Sequence, residues 1–143
     1  MYSELEEYLL GYLPADYWYD EGVDIARDII SSFKDDDWKQ LSERLSLQNN
    51  EWKKKLAYCL YDEDNNFELQ TLLKLLDTND EELFEICLDS LRSFINKDNA
   101  GYVINNPEMI GNIKKLYNKS SRPTQVMLSD LLKKLSQFTQ GQF

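Results

Sequence analysis

The residues in this chain that could do chemistry are few, and most are acidic. The 143 residues include no histidine, which removes the commonest general base and the commonest metal ligand. Cys59 and Cys87 lie inside apolar helical runs and read as reduced core residues, not as a disulfide or part of a zinc site. No Gly-rich phosphate loop and no GxSxG elbow occurs. Asp62-Glu63-Asp64-Asn65-Asn66 opens like a calcium loop. Phe67 then stands at the glycine position and Leu73 at the bidentate glutamate, so an EF-hand fails and a solvated turn is expected. Asp35-Asp36-Asp37 could hold Mg²⁺. Before Trp38 it fits a helix start better, one Asp as N-cap and the others against the helix dipole. Lys53-Lys54-Lys55, Lys114-Lys115 and Lys133-Lys134 each face away from an apolar stripe and read as solvated helix surface. Asn118-Lys119-Ser120 is a glycosylation sequon, which matters only in a secreted chain. The expectation is therefore no catalytic residue, no cofactor and no metal site.

Two features point to binding. Asp20, Asp24 and Asp28 are four residues apart, which puts three carboxylates on one face of a helix. Like charges so placed cost about 0.2–0.5 kcal/mol per pair, and Arg27 offsets part of that. A cationic partner would turn the column into an advantage. The second feature is Tyr17-Trp18-Tyr19, flanked by Asp16, Asp20 and Glu21. Three consecutive aromatics in a loop cannot all point inward. An exposed aromatic beside charges is common interface material.

Charge reinforces this reading. The net charge is −10, and residues 1–37 hold eleven acids against Arg27 and Lys34. Such a surface repels phosphate backbones and steers in a basic protein. Charged residues at 29% and aromatics at 13% are globular values, and the length suits one domain. No basic segment precedes the first apolar run and no apolar stretch approaches membrane-spanning length. A cytoplasmic location with no membrane contact is therefore expected.

Helices must position these residues, since five glycines and three prolines are few for a turn-rich β fold. The expectation is all-α, with about eight helices. The first runs over 3–13 with Leu5, Leu9, Tyr12 and Leu13 inward, ended by Pro14, and the loop ADYWYDEG follows. The second, 21–33, has Ala26, Ile29, Ile30 and Phe33 inward. Further helices are read near 36–46, 50–61, 67–77, 78–95, 107–118 and 123–138. The stretch from Thr78 to Ile95 is the hub. Its apolar positions cover about 140° of the helix, or roughly 200° with Ile86, so it needs neighbours on more than one side. Thr78 and Glu81 form a candidate capping box.

The spacing repeats. Shifted by 31 residues, Trp38, Leu41, Leu45, Trp52, Leu56, Ala57 and Leu60 fall on Leu69, Leu72, Leu76, Leu83, Cys87, Leu88 and Leu91. A further shift of 44 places Leu69, Leu72, Leu83, Cys87, Leu88 and Leu91 on Ile113, Leu116, Met127, Leu131, Leu132 and Leu135, while Leu76 falls on Ser120. The longer second shift fits an insertion after Asn96. Three stacked helix pairs over 36–138 follow, with an acidic N-terminal cap over 1–35, all within one domain of 1–143.

Paired helices of this length resemble HEAT-type α-solenoid repeats, a pattern likeness covering 36–138. More narrowly, DEGVDIARDIISSF (20–33), NEWKKKLAYCL (50–60) and ICLDSLRSF (86–94) resemble small bacterial immunity proteins of contact-dependent growth inhibition and polymorphic toxin systems. That resemblance implies a tight, non-enzymatic cytosolic inhibitor of a toxin's C-terminal domain, in many cases a basic nuclease. The expected contact residues are Asp16, Tyr17, Trp18, Tyr19, Asp20, Glu21, Asp24, Asp28, Asp35 and Asp36. The protein would be a monomer when free and would bind no nucleic acid directly. The alternative is a helical-repeat adaptor holding a peptide or subunit in its groove.

Overall fold

The computed structural model describes residues 1–139, of which Tyr2, Leu5 and Leu9 are the buried face of the first helix, α1 (Tyr2–Leu10). The helix stops at Gly11 in extended backbone, before Pro14, which was the expected terminator. Lys55 Nζ donates to the carbonyls of Leu9 and Gly11 at 3.2 and 3.4 Å, so a cation meets the negative end of the dipole there. Because the chain turns early, Tyr12 is 91% exposed and not part of the inner face.

The expected loop at 15–22 is helical. Pro14 is the N-cap of α2 (Ala15–Tyr17), which runs through a π-helical segment, Trp18–Gly22, into α3 (Val23–Ser31). Gly22 makes this possible. A Cβ there would lie 2.8 Å from Trp18 Cε3, so the indole packs over bare backbone. The wider i→i+5 turn lets that ring reach the core.

Helix α4 (Asp35–Arg44) ends in a 3-10 turn, Leu45–Leu47. Its N-cap position is Lys34, not an aspartate. Asp37, in the first turn, accepts the N–H groups of Lys34 and Tyr2, both at 2.9 Å, and these bonds hold its carboxyl below the usual range. Asn49 and Asn65 cap α5 (Asn50–Cys59) and α6 (Asn66–Leu75). For α7 (Glu81–Leu91) the cap is Asp80, whose Oδ1 accepts the Leu83 N–H at 2.9 Å. Thr78 Oγ1 instead accepts the Asp80 N–H, so the expected capping box is replaced by a stronger N-cap two residues on.

α7 is the hub that its wide apolar arc requires. Leu83, Phe84, Ile86, Cys87, Leu88 and Leu91 are all buried on it, and Phe94 and Ile95 are buried in the turn beyond. α7 packs on α5, α6 and, further along the chain, α10 (Arg122–Ser136). The insertion after Asn96 folds as a short helix, α8 (Gly101–Ile104), against α9 (Pro107–Lys119). α4 and α5 begin at residues 35 and 50, and α6 and α7 begin 31 residues later, at 66 and 81. α6 packs on α7 and α9 on α10, but α4 packs chiefly on α1, a difference from the expected first pair. A contact row runs α3–α5–α7–α10. The described residues contain no strand and are 73% helical. One apolar cluster extends from Tyr2 to Leu135. Among the described residues no helix is long and apolar enough to cross a membrane.

Candidate protein-binding face

The four-residue spacing sets Asp20, Asp24 and Asp28 along α3 and the π turn before it, all exposed, with Asp16 and Glu21 exposed on the same helical run. None of these five takes part in an ion pair among the described residues. Acids on neighbouring elements are engaged: Glu6 with Arg44 at 2.7 Å, Glu82 with Lys54 at 3.1 Å, and Asp89 and Asp130 with Arg92 at 2.5 and 3.1 Å. Arg27 sits within the column yet does not neutralise it. Its Nη2 donates to the Tyr58 carbonyl at 3.1 Å, and its guanidinium lies 4.3 Å from the centre of the Tyr61 ring.

The three aromatics divide. Trp18 is only 5% exposed and belongs to the core, so it is not the interface anchor it was expected to be. Tyr17 is half-buried, and Tyr19 is 60% exposed. The Tyr19 ring stands edge-on to Tyr58, 5.6 Å between centroids at 83°, and its hydroxyl donates to the Tyr58 hydroxyl at 3.4 Å. Burial, then the Tyr19 hydroxyl and the acids Glu82 and Asp89, push the Tyr58 phenol above its ordinary pKa. Tyr61, 57% exposed, completes the group.

A buried carboxylate supports Tyr61. Glu68 on α6 is 4% exposed and accepts the N–H groups of Tyr61 and Asp62 at 2.9 and 3.3 Å. Those bonds hold the chain where it leaves α5. Burial pushes the Glu68 carboxyl above its usual range, and the two N–H donors oppose that. Tyr58, Tyr61 and Glu68 were absent from the sequence reading. The signal was there for one of them: Glu51, Lys54 and Tyr58 are spaced 3 and 4 apart along α5, while Tyr61 lies beyond the helix end.

Asp35 and Asp36 belong elsewhere. Asp36 accepts from Gln40 Nε2 at 2.9 Å in the first turn of α4. Asp35 lines a groove between α4 and α6 with Trp38, Ser42, Phe67 and Lys74, which shares no residue with the Tyr19–Tyr58 contact. Trp38 and Phe67 stack there, 5.7 Å apart and 8° from parallel. The Asp62–Asn66 turn spends its acceptors locally, Asp62 on the Asp64 N–H and Asn65 on the cap of α6. Among the described residues no three metal-ligating side chains converge. The arrangement can therefore offer a partner unpaired negative charge, two exposed phenol rings and a rigid backing. No protein-family model, curated protein or solved structure matches the chain.

Proposed function

We propose that this is an immunity protein that neutralises a toxin domain by binding it through the α3–α5 face. The observation that carries the reading is the column Asp20, Asp24 and Asp28, exposed and without ion-pair partners among the described residues, beside exposed Tyr19 and Tyr61. Unpaired acids supply long-range attraction and specificity for a basic domain, and aromatics supply contact energy. The resemblance of the 20–33, 50–60 and 86–94 segments to contact-dependent growth inhibition immunity proteins supports the same class, as does the 31-residue helix spacing for a HEAT-like repeat. The inhibitor acts without chemistry of its own, in the cytoplasm, as a monomer until it meets the toxin.

The experiment is co-expression with basic C-terminal toxin domains of contact-dependent growth inhibition systems, beginning with any encoded beside its gene. The reading expects growth to be restored and the two proteins to co-purify. Continued killing with abundant soluble protein, and no complex, would refute it. The adaptor reading draws on the α4–α6 groove, where Phe67 is 44% exposed above buried Trp38. An adaptor loses its partner on Phe67→Ala and tolerates charge reversal at Asp24. The inhibitor does the opposite.

A further inference from the structure

Tyr19 is an exposed ring held in place. It is 60% exposed, and an edge-on contact with Tyr58 orients the ring while most of its surface stays in solvent. Asp20 follows it and Asp16 precedes it by one helical turn, both exposed and outside every ion pair of the described residues. The cation of this helix, Arg27, is engaged by the Tyr58 carbonyl and the Tyr61 ring, so it does not satisfy those carboxylates. One natural side chain matches an exposed aromatic ring beside unpaired carboxylates. A planar guanidinium stacks on the ring and forms paired N–H bonds to a carboxylate; an ammonium offers only a strongly hydrated point charge.

We propose that Tyr19, with Asp16 and Asp20, is a docking point for an arginine side chain of a basic protein partner, and that it selects arginine over lysine. The inference deepens the immunity reading and rests on it only for the partner's identity. Its test uses peptides and needs no toxin. Hexa-arginine and hexalysine are titrated into the full ¹⁵N-labelled chain at physiological salt. The expected result is hexa-arginine binding about two- to fivefold tighter, with amide shifts centred on residues 16–24. Tyr19→Ala should bring the two affinities together, Tyr19→Phe should keep them apart, and Asp20→Asn should weaken both peptides. An arginine preference that survives Tyr19→Ala, or shifts centred on another element, overturns the proposal. If Tyr19→Ala does not fold, the shift map of the parent decides. Failure of toxin protection with the arginine preference intact would sink the immunity reading and leave the docking point standing; the reverse result would do the opposite.

Discussion

Trp18 and Tyr19 are neighbours in sequence and opposite in placement, 5% against 60% exposed. The spacing of apolar residues could not separate them, because the π turn at Trp18–Gly22 breaks the 3.6-residue phase on which such reading depends. Trp18→Ala is thus a folding variant. It should cost about 3–5 kcal/mol in urea unfolding, the range for losing a buried large aromatic. Gly22→Ala should also destabilise, since its Cβ would meet the indole at 2.8 Å. A parent-like melt for both would place the indole outside the core. Glu68 allows a pH test. Its folded-state pKa is raised, so the native chain holds this proton at pH values where the unfolded chain has released it. Ionised Glu68 is therefore a liability above that window, relieved as pH falls through it. Glu6, Asp37 and Asp80 act in the opposite sense. Their pKa values are lowered, by the Arg44 bond for Glu6 and by backbone N–H bonds for the aspartates. Their stabilisation is present above the unfolded value of about 4 and is lost as pH falls through their folded values. Glu68→Gln should be at least as stable as the parent at pH 7, and the difference should shrink towards the acid end. A gap that widens as pH falls would reverse this assignment.

At the scale of elements, α7 was the most legible part of the sequence. Its apolar arc required neighbours on several sides, and it packs on α5, α6 and α10. Leu88 and Leu91 are fully buried in that arc. Replacing either with Ala should cost about 2–5 kcal/mol by denaturant titration, and a loss under 1 kcal/mol would remove α7 from its central place. Element ends were less legible. Lys55, Asp37 and Asp80 each settle an end through a hydrogen bond, two of them between distant segments, and propensity does not report such bonds. The candidate face was half legible for a similar reason. Asp20, Asp24 and Asp28 lie on one helix and could be read by spacing. Tyr58 and Tyr61 join them only because α3 packs on α5. Asp35 and Asp36 are close in sequence to that column, but α4 carries them to its own first turn.

For the whole molecule, charge is the organising quantity. The acidic excess falls in residues 1–37, where the exposed column of α3 keeps its carboxylates unpaired, while Lys54 and Arg92 neutralise much of the adjoining α7 surface. We propose that this face binds a basic domain under electrostatic steering. The most direct measurement is association kinetics of the parent and an Asp24→Lys/Asp28→Lys variant with the basic domain that the co-expression experiment identifies, at low and at physiological salt. Circular dichroism should show the variant as helical as the parent. The predicted result is an on-rate that falls steeply with salt for the parent, and by about tenfold or more on charge reversal at low salt, with a smaller change in off-rate. Equal on-rates for the two proteins at both salt concentrations would contradict it.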